Sequence, residues 1–345
     1  MAYTDIDKPT DYFNTVLYTG NGTDAHAITG VGFSPDFVWL KGRSVAEHHT
    51  LNDTVRGANK QLFSNLTYGE STETDRLQSF DSDGFTLGTD VIVNQSSQTF
   101  ASWNWLAGGT GSSNTDGSIT SSVSASTDAG FSIVTYTGTG SSATVGHGLG
   151  VAPNVIITKK RNGTVQWNFQ NSMRGYNEYM ALNTTEASQA TGGAIISAVS
   201  STTYSCDGND VVNASSGTYV SYCFAEKKGY SKFGSYSSNN SLDGPFIYTG
   251  FKPAFFMTKR SDVANSWVMF DNKRDPHNEI NNNFYANTNE AEETGTLNND
   301  LDFLSNGIKI REDNNALNAS GGTYIYMAFA ESPFVTSGGI PTTAR

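Results

Sequence analysis

Three arginines stand at matched places in this sequence. Arg56 lies in NDTVRG, Arg174 in QNSMRG and Arg274 in FDNKRD, each three residues after Asp53, Asn171 or Asp271. A guanidinium fork grips carboxylates and hydroxyl-rich ligands, so a ligand clamp is one reading. The other is a loop pinned by each Arg to its own Asp or Asn, and a position shared by three divergent segments favours it. Three lysines recur as well. Lys41, Lys159 and Lys259 end apolar runs led by Pro35, Pro153 and Pro253, in FSPDFVWLK, VAPNVIITK and FKPAFFMTK. Arg43, Arg161 and Arg260 follow closely. Basic side chains at a strand end discourage edge pairing, so solvated strand ends are expected, with anion binding as the alternative.

Other chemistries find less support. DSDGF (Asp81, Asp83) and DGND (Asp207, Asp210) resemble calcium loops but lack the twelve-residue ligand spacing, and read as turns. The histidines (His26, His48, His49, His147, His277) show no HExxH spacing. His48 and His49 are expected in a strand, where neighbouring rings point to opposite faces. Cys206 and Cys223 are the only cysteines; both fall in the middle segment, so buried thiols are expected rather than a repeated disulfide framework. The five tryptophans (Trp39, Trp103, Trp105, Trp167, Trp267) are expected to be core, with sugar stacking as the rival use. No nucleophile elbow or phosphate loop follows a strand in the required way. Paired carboxylates for glycoside hydrolysis need only be close in space, and no acidic residue is singled out. No catalytic residue, cofactor site or metal site is assigned, and an enzyme is not expected.

The elements that must position these residues repeat with them. Each segment opens on a Tyr/Phe-rich strand and closes on a Thr-aromatic alternation, QTFASWNWLA, GTYVSYCFAE or GTYIYMAFAE. In the first of these, Phe100, Ser102 and Asn104 fall on one face and Ala101, Trp103 and Trp105 on the other. VLYTG, DFVWLKG, HHTLND, KQLFSN and SFDSDGFTLG read as further strands. Many short strands separated by turn signals predict an all-β fold of three related β-sandwich, jelly-roll-like domains in tandem. The expected boundaries are a lead-in at 1–12, repeats at 13–106, 130–228 and 229–334, and a tail at 335–345. Residues 107–129, dense in Gly, Ser and Thr, read as a flexible linker on which the first repeat swings; SITSSVSA within it fits one edge strand. Loops after Asn65, Asn183 and Asn287 are acidic or polar and have room for a turn of helix. They are where the repeats differ, and where a division of labour is expected.

The formal net charge of −12 opposes binding to nucleic-acid phosphates or to an anionic membrane surface. The 20 Phe and 16 Tyr suit pleated surfaces more than helices. No basic, apolar leader opens the sequence and no apolar run approaches membrane-spanning length, so synthesis in a cytoplasm without a signal peptide is expected.

GFSPDFVWLK with DTVRG and SFDSDGFTLG, and likewise GHGLGVAPNVIITKKR, resemble a domain common in structural proteins of marine tailed bacteriophages. The third repeat is the most specific: GYSKFGSY, DGPFIYTGFKPAFFMTKR, DFLSNGIKIRE and NASGGTYIYMAFAESPFVTSGGIPTTAR. That ending resembles tail-fibre-like virion proteins. The resemblance implies a virion component, either a tail appendage or fibre or a capsid decoration. It also implies other virion proteins as partners, a homo-oligomeric state, and a host surface glycan or receptor as a further partner. It brings no catalytic residues. A glycan-binding adhesion module and a polysaccharide-degrading enzyme are the rival readings.

Overall fold

The computed structural model describes residues 3–342 except 177, 191–194 and 296–298. Its strands form three large sheets and three small ones of three strands each. In the first repeat the large sheet runs in the order Phe13–Thr19, Thr99–Trp105, Phe37–Gly42, Thr50–Asp53, Gly57–Phe63, Ser71–Thr72. The opening strand thus pairs with the closing one, which pairs in turn with the Pro-led strand. Phe131–Thr137, Thr218–Phe224, Val155–Lys160 and Asn168–Asn171 keep this order in the second repeat. So do Ser231–Ser237, Thr323–Pro333, Phe251–Arg260 and Trp267–Asp271 in the third. The small sheets are His26–Thr29, Gly84–Leu87 and Leu77–Asp81, then Ala143–Gly146, Thr203–Cys206 and Ile196–Val199, then Phe246–Tyr248, Gly307–Ile310 and Leu301–Leu304. The chain is therefore all-β, with sandwich layering as expected. The one α-helix among the described residues is Val91–Asn94, capped by the Asp90 side chain.

Alternation along the closing strands explains why both faces of each large sheet are buried. One face packs on the small sheet of its own repeat, as Val38 and Leu40 do against Phe85 and Leu87. The other face, with Ala101, Trp103 and Trp105, joins a core contributed by all three repeats. Trp105, Phe224 and Phe329 occupy the same place in the three closing strands. Their rings meet as a triangle with centroid separations of 6.5, 5.9 and 5.6 Å. Equivalent residues converging at one point mark an approximate threefold axis. The expected tandem arrangement is thus modified: the sandwiches close around a common core.

The segment 107–129 departs from the expected flexible linker. Ser112–Asn114 pairs with Ser121–Ser126, which pairs with Phe131–Thr137, extending the second large sheet to eight strands. Backbone hydrogen bonds to an existing strand suffice to order it, with Val123 and Ile119 buried as its apolar anchors. Small residues permit the close approach, since a Cβ on Gly108 would lie 2.6 Å from the Ala125 carbonyl oxygen. Pro35 and Pro153 precede their strands as expected. Pro253 instead lies inside one, at a register shift in Phe251–Arg260, where a bulge tolerates the missing N–H. The lead-in crosses the joint between the second and third repeats, with Asp5 N–H on the Lys228 carbonyl at 2.9 Å. Asp7 accepts the Ser337 N–H at 2.6 Å.

Candidate functional site

The recurring lysines lie at seams between repeats, not at solvated strand ends, and each is at most 1% exposed. Lys41 Nζ donates to the Gly42 carbonyl at 2.9 Å and to Asn289 of the third repeat at 3.4 Å. Lys159 donates to Lys160 at 3.1 Å and to Thr67 of the first repeat at 3.0 Å. Lys259 donates to Arg260 at 3.0 Å and to Thr185 of the second repeat at 3.1 Å. The expectation failed because the strand ends face a neighbouring repeat. There, buried carbonyls need donors that water cannot supply.

The loops after Asn65, Asn183 and Asn287 are the other half of these seams. Within each repeat the Asn carboxamide oxygen accepts a backbone N–H, from His49 (3.3 Å), Trp167 (2.8 Å) or Trp267 (2.8 Å). Those three side chains then cross to the neighbour. Trp167 Nε1 donates to the Phe63 carbonyl at 2.8 Å and Trp267 Nε1 to Ala181 at 3.0 Å, while His49 Nε2 lies 3.1 Å from the Tyr285 carbonyl. Ion pairs follow the same order. Arg161 binds Glu70 through Nε (2.8 Å) and Nη2 (2.9 Å), and Arg43 binds Glu292 through Nη2 at 3.1 Å. In the remaining seam Ser188 N–H meets the Ser261 carbonyl at 2.8 Å. The loops expected to divide the labour are thus spent on closure. Their described residues contain no helical turn, and residues 191–194 and 296–298 of two of them lie outside the described residues.

The arginines divide two against one. Asp53 and Arg56 have fully buried side chains. Arg56 Nε binds Asp53 at 2.5 Å, and Nη2 donates to the Leu51 carbonyl at 2.9 Å. The Tyr222 hydroxyl of the second repeat donates to Asp53 Oδ2 at 2.8 Å. Burial opposes the Arg56 charge, but Asp53, Tyr222 and Glu70 outweigh it and hold its pKa above the usual value. Arg274 repeats this with Asp271, its guanidinium 4.5 Å from the Phe284 ring centroid, and Trp103 Nε1 of the first repeat donates to Asp271 at 3.1 Å. Arg174 departs: Asn171 accepts only its backbone N–H, at 2.9 Å, and the guanidinium turns outward to Glu178. Trp103, Tyr222 and Met327 match in the three closing strands, and a thioether has no N–H or O–H to give. The carboxylate is present where the neighbour supplies a donor and is replaced by an amide where it does not.

The seams set a pH dependence. Burial lowers the Lys41 pKa to about 7, against the pull of Glu47, Glu292 and Glu290. Burial brings Lys159 to about 8, with Lys160 adding to the effect, and Lys259 to about 8, opposed by Asp262. His49 is also driven well down, by burial and then by Lys41. From these values up to the unfolded lysine value of about 10.4, the unfolded chain binds more protons, so stability rises with pH. Buried tyrosines such as Tyr222 and Tyr204, pushed up by burial, reverse the slope above about pH 10. The melting temperature is expected to climb from about pH 6.5 to about pH 9. A flat or falling profile in scanning fluorimetry would contradict this account of the lysines.

Other candidate residues are consumed locally. Asp83 accepts the Gly30 and Gly32 N–H groups at 3.1 and 2.6 Å, and Asp81 accepts Thr86 Oγ1 at 2.7 Å. Asp207 holds its own turn, and Asp210 pairs with Lys160. His48 and His49 precede the strand Thr50–Asp53 rather than lying in it; His48 meets Asn65, and His49 accepts from Trp39 Nε1 at 2.9 Å. No group of three or more His, Cys, Asp or Glu is placed to hold a metal among the described residues. Cys206 and Cys223 are buried free thiols. All five tryptophans are at most 4% exposed. The exposed aromatics are Tyr3, Tyr68, Phe246 and Tyr248, which sequence reasoning missed; their one signal is that Phe246 and Tyr248 replace small residues of the other repeats.

A cleft of about 220 Å³ lies between Lys252, Asn272, His277, Asn278 and Phe303. It exists because the link from Arg274 to Tyr285 is four residues longer than those from Arg56 to Phe63 and Arg174 to Ala181. Lys252 there is paired with Glu331. No curated protein and no solved structure matches the chain. One family model runs through all three repeats, over residues 8–333, and the chain belongs to that family, described as Domain of unknown function (DUF7483).

Proposed function

We propose that this chain is a non-enzymatic structural component of a bacteriophage particle, exposed as a tail-associated appendage or a capsid decoration. The observation that carries this reading is the use made of the recurring polar residues. Lys41, Lys159 and Lys259 bind carbonyls across seams, and Asp53 and Asp271 accept donors from neighbouring repeats. A chain whose repeated charges close its own body offers a rigid block, which is what an assembly part needs. The resemblance of the third repeat's ending to tail-fibre-like proteins supports the same reading, and the acidic composition suits solubility. In this role the partners are other virion proteins and further copies of the chain, arranged by the symmetry of the particle. In this role assembly takes place in the host cytoplasm.

Quantitative mass spectrometry of purified, washed particles of the encoding phage tests this. The chain is expected at a fixed copy number that matches the symmetry of one part of the particle. Its presence in the lysate but absence from washed particles would overturn the reading.

A further inference from the structure

The three small sheets share a frame but not an outer surface. Thr29 lies opposite Gly84, Gly146 opposite Thr203 and Tyr248 opposite Gly307. Between the outward positions, Ile28, Val145 and Ile247 point into their sandwiches and are buried. The outward pair is Ala27 and Thr29 in the first repeat and Thr144 and Gly146 in the second. In the third it is Phe246 and Tyr248, 46% and 59% exposed. Residues two apart on a strand stand about 7 Å from each other on one face. The Phe246 ring lies across the neighbouring strand, for a Cβ on Gly307 would meet it at 2.8 Å. Gly307, which stands opposite Tyr248, leaves that space to the Phe246 ring and to the Ile247 carbonyl oxygen, which the same Cβ would meet at 2.2 Å.

Charged groups rim these rings. Lys309 stands opposite Phe246 and pairs with Asp243 at 2.6 Å, and Arg311 pairs with Asp302 at 2.6 Å. Two cations and two anions cancel, so the rim gives a charged ligand no net attraction, while its donors and acceptors serve hydroxyl groups. Each of the two residues is about half exposed, which amounts to roughly 200 Å² in all. A stable protein interface needs about 800 Å² per partner, so the patch has the size of a sugar unit rather than of a protein. We propose that Phe246 and Tyr248 form a stacking platform for a neutral saccharide, with Asp243 and Lys309 bonding its hydroxyls at the edge. The negative ring faces receive the C–H face of the sugar. The inference rests on the particle reading only for its setting, where such a platform would touch host surface glycan.

Saturation-transfer NMR on the full chain tests it, with methyl glycosides and trisaccharides of glucose, galactose, mannose and N-acetylglucosamine as probes. The ring protons of at least one probe are expected to receive saturation. Affinity should fall at least tenfold in the double variant Phe246→Thr, Tyr248→Thr, and should hold in a His26→Ala control in the first repeat. If the double variant does not fold, Tyr248→Thr alone carries the test. No saturation of any probe, or undiminished binding in the folded variant, would overturn the platform. Failure here with the chain present in particles counts against the platform alone. Sugar binding by a chain absent from particles counts against the structural reading alone.

Discussion

Asp53→Ala is expected to destabilise the chain by about 3–5 kcal/mol, because it strands a buried charge. The Arg56 guanidinium, fully buried, would lose the carboxylate that balances it. Tyr222 of the second repeat would lose its acceptor in the same step, so the damage reaches two repeats. Asn171→Ala at the matching place is the internal comparison. It removes one hydrogen bond to the Arg174 N–H and leaves no buried cation, since Arg174 turns outward to Glu178. Its cost is expected at about 1 kcal/mol. Urea denaturation of the two variants side by side reads the difference. A loss for Asp53→Ala no larger than for Asn171→Ala would show that Asp53 does not hold a seam.

Trp103→Ala is expected to cost a further separate amount of about 3–5 kcal/mol, the range for deleting a fully buried aromatic. The ring meets Trp39, Phe255 and Phe284 edge-on, at centroid separations of 6.2, 5.9 and 5.8 Å. Two of those rings belong to the third repeat, as does Asp271, which accepts the indole N–H. Trp103→Phe keeps most of the packing and removes that donor, and is expected to cost about 1.5–3 kcal/mol because the acceptor is charged. Hydrogen exchange locates the effect. Faster exchange is expected in Trp267–Asp271 of the third repeat as well as in the strand that carries Trp103. Exchange altered in the first repeat alone would contradict a seam at this position.

The strands were legible because their cues are local. The Pro-led apolar runs and the alternation through Trp103 and Trp105 appear where expected. The pairing of Arg56 and Arg274 with their own aspartates was also legible, from a spacing of three residues. What sequence reasoning could not supply is where the other face of each sheet goes. A lysine at the end of a Pro-led apolar run looks the same at a solvated strand end and at a seam; only the Thr67, Thr185 and Asn289 carbonyls across the boundary distinguish them. A strand within SITSSVSA was legible, but its place was not: Ser and Gly report flexibility, while Ser121–Ser126 is held between Ser112–Asn114 and Phe131–Thr137 by backbone bonds and is not an edge. Usable signals lay in the differences between repeats. Asn171 departs from two aspartates just where Met327 departs from Trp103 and Tyr222. Phe246 and Tyr248 stand where the other repeats carry Ala, Thr and Gly.

The central claim is that three related sandwiches close around one core and behave as one body. Scanning calorimetry of the full chain tests it most directly. A shared core and three polar seams predict a single endotherm whose calorimetric and van't Hoff enthalpies agree. Two or more separable transitions, each assignable to a repeat, would contradict it.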